Sequence, residues 1–135
     1  MILRYFLSYL LTIPVLVILD LLWVGYVMKD FYRGHLGHLL APQTNVIAVV
    51  LFYIAFSLGL YYFAVYQGLS RQSLFIAVFS GFLFGAAAYA TYDLTNMATL
   101  KDWPFLVVVV DVAWGAVLSA IVAGIGFFIG QEIVN

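Results

Sequence analysis

Cysteine is absent from the 135-residue chain, which removes disulfides, thiolate nucleophiles and Cys-ligated metals. Charge is almost as scarce: five Lys and Arg against six Asp and Glu, 8% of residues, for a net charge of −1. So few cations leave no electrostatic footprint for nucleic acid, and no nucleic-acid partner is expected. A Walker loop, a dinucleotide fingerprint and a Ser–His–Asp order are also missing, so no cofactor is expected. Apolar residues fill the chain instead, 67% of it, with 19% aromatic and a mean hydropathy of +1.14. A soluble domain this small keeps too much surface per unit volume to hide them. The bilayer must be the solvent.

A spanning helix needs about 20 mostly apolar residues. Four stretches qualify, at about 3–28, 45–66, 73–94 and 104–129. They predict an all-α membrane protein, a four-transmembrane-helix bundle forming a single integral membrane domain over 1–135. Short connections force the spans to run up-down-up-down, with both termini on one side. The first apolar run is longer than a signal-peptide core and lacks a small-x-small cleavage site, so it reads as a retained helix. Pro42 and Pro104 stand near span starts, where a missing N–H costs nothing. Pro14 lies inside the first span and predicts a kink. Lys29, Arg33 and Lys101 on one side face Arg4, Arg71 and the α-amine on the other, a count that leans the first side only slightly toward the cytoplasm. The exits of spans one and three, D-L-L-W-V-G-Y-V-M-K-D-F-Y from Asp20 and D-L-T-N-M-A-T-L-K-D-W-P-F from Asp93, align with one gap. A duplicated helical hairpin and chance similarity account for this equally well.

Asp20, Asp93 and Asp111 stand inside those apolar runs. Asp20 precedes Lys29 by nine positions, Asp93 precedes Lys101 by eight, and Asp111 follows Asp102 by nine. At about 1.5 Å per helical residue, all three fall roughly 12–14 Å inside one membrane face. An unpaired charge there costs about 2.5–3.5 kcal/mol on insertion scales, so such residues face a bundle interior and carry function by default. Each has a donor-bearing companion three residues on, along the same helix face: Trp23, Asn96 and Trp114. Tyr89 and Tyr92 add phenols beside Asp93. Together they predict an acidic–aromatic pocket, ligand-binding or proton-carrying, built from Asp20, Trp23, Tyr89, Tyr92, Asp93, Asn96, Asp111 and Trp114. Three clustered carboxylates in a poorly solvated site cannot all be ionised together. The plainer alternative is that the aspartates only tie helices together, through bonds averaging about 0.6 kcal/mol.

Other features are weaker. His35 and His38 would share a helix face with Asp30 nearby, but no third ligand is suitably spaced, and they read as a headgroup-level pair with no metal expected. Gly81-x-x-x-Gly85 and Gly126-x-x-x-Gly130, with Gly115, Ser119 and Ala123, predict close helix packing. Tyr5, Tyr9, Tyr61, Tyr62, Tyr66, Phe31, Tyr32 and Trp103 read as interfacial aromatic belts without chemistry.

The strings L-D-L-L-W (19–23), F-Y-R-G-H-L-G-H-L-L-A (31–41), Y-D-L-T-N-M-A-T-L (92–100), W-P (103–104) and D-V-A-W-G (111–115) resemble a small bacterial inner-membrane family, domain of unknown function 2177. The resemblance spans essentially the whole chain. It implies a multi-pass protein of the bacterial inner (cytoplasmic) membrane and supplies no activity or catalytic residue.

From the residues, the pocket binds or transports a small cationic or amphipathic molecule, with or without proton coupling. Indole faces and an ionised Asp would receive the cation. Four short spans are few for a transport path, so a homodimer is expected in that case. Two alternatives stand beside it: a membrane enzyme acting on a lipid or isoprenoid, and an accessory subunit of a membrane complex.

Overall fold

The computed structural model describes residues 1–135, and they form helices joined by short turns, with no strand. The elements are α1 (Ile2–Val27), α2 (Lys29–Leu36), α3 (Val46–Ser70), α4 (Leu74–Thr99) and α5 (Phe105–Val134). All except α2 are long and apolar enough to cross a membrane. Most large apolar side chains on them, from Ile2 to Phe128, point outward and exposed, as a bundle dissolved in hydrocarbon requires. Both termini lie at one end: the Arg4 guanidinium donates to the Val134 carbonyl at 3.4 Å, and the Tyr5 ring meets Tyr66 edge-on.

Local chemistry sets the helix ends. The Asn45 side chain accepts the Ala48 N–H at 3.1 Å to start α3, and Ser73 accepts the Ile76 N–H at 3.3 Å to start α4. Pro104 caps α5. Gln72, with a φ of 52°, reverses the chain between α3 and α4 in the left-handed region. Helix α1 continues unbroken through Pro14. Helices α3, α4 and α5 also outrun the expected spans at their C-terminal ends. Helix α4 passes Leu94 to reach Thr99, and along it Thr91, Thr95 and Thr99 each return a hydroxyl to the carbonyl four residues back, so that these polar side chains are satisfied within the helix. The connection after Met28 folds as α2 and a 3-10 turn over Gly37–Leu39.

Helix α5 is the axis of the bundle, and α4 and α1 both pack along it. Gly81 and Gly85 of α4 rest on the backbone and side chain of Ser119, and Gly85 also meets the Gly115 carbonyl. Gly126 meets Thr12 and Val65, and Gly130 meets Leu69, so the second glycine pair packs inside the same chain. Packing is uneven along α3. Its second half buries Leu60, Tyr61, Ala64, Val65 and Leu69, whereas no residue of 46–55 is buried. Tyr61 therefore belongs to the core and not to an interfacial belt. A π-turn over Tyr61–Val65 separates the two halves, and a second π-turn, Trp23–Val27, ends α1. The bundle is tight at the terminal end and splayed at the other. The site occupies the splay.

Candidate functional site

A cavity of about 630 Å³ opens where the splayed helix ends diverge. Helix α1 contributes Asp20 and Val24, and α5 contributes Asp111 and Trp114. Phe52 and Phe56 come from α3, Tyr89 and Tyr92 from α4, while Tyr32 of α2 and Trp103 of the α4–α5 turn close the aqueous side. Asp20 and Asp111 are 7% and 8% exposed, and Asp93 is fully buried.

The two lining carboxylates are held by neutral donors from other elements. Asp20 accepts the Trp114 indole N–H at 3.1 Å on one oxygen and the Tyr53 hydroxyl at 2.7 Å on the other. Asp111 accepts the Tyr32 hydroxyl, and that hydroxyl in turn accepts the Trp23 indole N–H at 3.2 Å. The Trp23 and Trp114 rings stack with centroids 4.2 Å apart and planes 4° from parallel. A single chain of contacts thus runs from Asp111 through Tyr32, Trp23 and Trp114 to Asp20 and Tyr53, joining α5, α2, α1 and α3. Burial and the neighbouring Asp111 push the Tyr32 phenol above its usual range, which keeps it a neutral donor.

Asp93 is different. Neither of its carboxylate oxygens has a hydrogen-bond partner. The Asp111 carboxyl and the Trp103 indole stand beside it without reaching hydrogen-bond geometry, and the Trp103 N–H is likewise unsatisfied. It lies behind Asp111 and does not line the cavity. No lysine, arginine or histidine donates to any of the three aspartates. A buried carboxylate without a base or a full set of donors is costly, and here the shortfall concentrates at one place.

Of the eight residues singled out in the sequence, Asp20, Tyr89, Tyr92, Asp111 and Trp114 line the cavity. Trp23 stacks on its wall and Asp93 sits behind it. Asn96 stands apart, half-buried near the Tyr92 hydroxyl and outside the lining. The expected i+3 companions serve other partners: Trp114 bonds Asp20 instead of Asp111, and Trp23 bonds Tyr32 instead of Asp20. Tyr53, Tyr32 and Trp103 belong to the site although the sequence reading gave them no role. Tyr53 did carry a signal, since a phenol in the middle of a spanning helix needs a partner for its hydroxyl. The Phe31 carbonyl lies 2.8 Å from His35 Nδ1, and no ligating trio forms around the histidines.

No curated protein and no solved structure matches the chain. A family model described as "Predicted membrane protein (DUF2177)" matches residues 5–128, nearly the whole length. With four helices able to span a bilayer and that match, the chain belongs to the DUF2177 family of predicted membrane proteins and is a multi-pass membrane protein.

Proposed function

We propose that the protein binds a small cationic amphipath in the acidic–aromatic cavity, in the inner membrane of a bacterium. One observation carries this function: three buried aspartates from three helices converge without any basic partner, two of them on the wall of a 630 Å³ aromatic-lined cavity. The missing positive charge is what a ligand would bring. The cavity lies within the size range of small-molecule sites, and its few polar groups amid apolar walls suit a ligand with one charged end. The indoles are stacked on each other, so the carboxylates would receive the cation and the ring edges would shape the pocket.

Binding fits better than transport through one chain. One turn deeper than the cavity, Leu16, Leu60 and Leu118 fill the bundle, each at most 1% exposed. A through-path would need rearrangement or the homodimer that transport calls for. An enzyme acting on a lipid would use the same carboxyls, and it would change the lipid profile of cells lacking the gene.

Trp23, Trp103 and Trp114 are the chain's three tryptophans, and all stand at the cavity, so intrinsic fluorescence reads the site directly. In nanodiscs, hexadecyltrimethylammonium should change that fluorescence saturably, and Asp20→Asn or Asp111→Asn should weaken binding about tenfold or more. Wild-type affinity in both variants, with the fold intact, would contradict a carboxylate-centred cation site.

A further inference from the structure

The cavity is roofed toward water and open toward lipid. Tyr32 and Leu36 of α2, with Trp103 of the α4–α5 turn, cover the aqueous side. The roof is fastened, because the Tyr32 hydroxyl is bonded to both Asp111 and Trp23. Helix α2 leaves Lys29, Asp30 and Arg33 exposed beside this roofing face, as for a helix lying in the headgroup region.

The flank between α3 and α4 is not closed in this way. Ala48 and Phe52 on α3 and Tyr92 on α4 line the cavity and are also exposed on the outer surface, Tyr92 by 58%. Helix α3 packs on α4 chiefly through its π-turn and the turn that follows it, Tyr66–Ser70, and its residues 46–55 include no buried side chain. Side chains that face both a cavity and the exterior mark a mouth. Along these two spanning helices the exterior is hydrocarbon.

Resting on the cation-binding function above, we infer that the ligand is a single-chain cationic amphipath that enters sideways from the bilayer through the α3–α4 gap. Its charged head lies at Asp20 and Asp111, against the sealed end. Its chain runs over the apolar walls and out between Phe52 and Tyr92, level with the carboxylates: Tyr53, next to Phe52, bonds Asp20. The gap lets the remainder stay among lipid tails, so only the head must be desolvated and matched.

The test is a chain-length series read by tryptophan fluorescence in phosphatidylcholine nanodiscs: tetramethylammonium, decyltrimethylammonium and hexadecyltrimethylammonium. Concentrations are corrected for partition into empty nanodiscs. Affinity should rise with chain length, and tetramethylammonium should fail to occupy the site. Phe52→Trp, which narrows the mouth, should weaken hexadecyltrimethylammonium about tenfold or more. Ala113→Phe, on the exposed outer side of α5, should leave it unchanged. Tyr92→Ala, which widens the mouth, should speed association, so the gap can be tested even if the larger side chain at Phe52 impairs folding. If tetramethylammonium binds as tightly as the long-chain cation, or both mouth variants behave as wild type, lateral entry is wrong while cation binding stands. If no cation of any length changes the fluorescence and Asp20→Asn has no effect, the cation site falls as well.

Discussion

Asp93 is the residue on which an architectural and a functional account part most clearly. Both its oxygens are buried and unpartnered, a situation that costs about 1–3 kcal/mol and ties no helices together. Side by side with Asp111 in the empty site the two carboxyls cannot both carry charge, and a bound cation would let the second one ionise. Asp93→Asn should therefore leave stability in detergent unchanged or raise it by about 1 kcal/mol, while weakening cation binding. A loss of stability with binding intact would make Asp93 a structural tie. Tyr32 gives a second prediction from its own titration. The folded state keeps the phenol neutral beyond the unfolded value of 10.0, so stability is level below that pH and declines as pH rises above it. Tyr32→Phe should remove its share of that alkaline decline, measured as unfolding midpoints across pH. The aspartates were legible in the sequence because charge inside a long apolar run stands out. Their partners were not, because the donors come from residues 33 to 94 positions away. Spacing along one helix cannot rank such contacts.

At the scale of elements, the α4–α5 seam sets the geometry of the site. A side chain at Gly85 would strike the Gly115 carbonyl and Ser119, backbone and packed atoms with nowhere to move. Gly85→Val should destabilise the bundle by about 1–3 kcal/mol in detergent unfolding. Gly34→Ala on α2, where nothing lies within 4 Å, should be neutral or stabilising by about 0.5 kcal/mol. Equal effects of the two would remove the close approach as the cause. Span existence and the glycine pairs could be read from hydropathy and spacing. The π-turns at Trp23–Val27 and Tyr61–Val65 could not, because Gly25 in the first has no counterpart in the second and neither holds a proline, yet one ends α1 just past Asp20 and the other divides α3. The fold of α2 was hidden too. Its apolar positions matter only once Tyr32 and Leu36 are seen to roof the cavity.

For the whole molecule, hydrocarbon surroundings and a packed terminal end leave one place where polar groups can gather. Elsewhere in the bundle Ser57 bonds the Tyr9 hydroxyl, Thr12 bonds the Ser8 carbonyl and Ser119 is buried, but only the splayed end brings carboxylates, phenols and indoles around a common space. The two hairpins differ in detail: α1–α3 carries both π-turns and the inserted α2, and α4–α5 carries neither. The site thus depends on the asymmetry between hairpins as much as on the aligned Asp20 and Asp93. The most direct test of the central claim is charge selectivity: the ratio of affinities for hexadecyltrimethylammonium and uncharged hexadecanol in nanodiscs, in wild type and in the Asp20→Asn/Asp111→Asn double variant. Wild type should favour the cation about tenfold or more, and the double variant should lose that preference while still taking up the chain. Equal affinity for the two amphipaths in wild type would contradict the account.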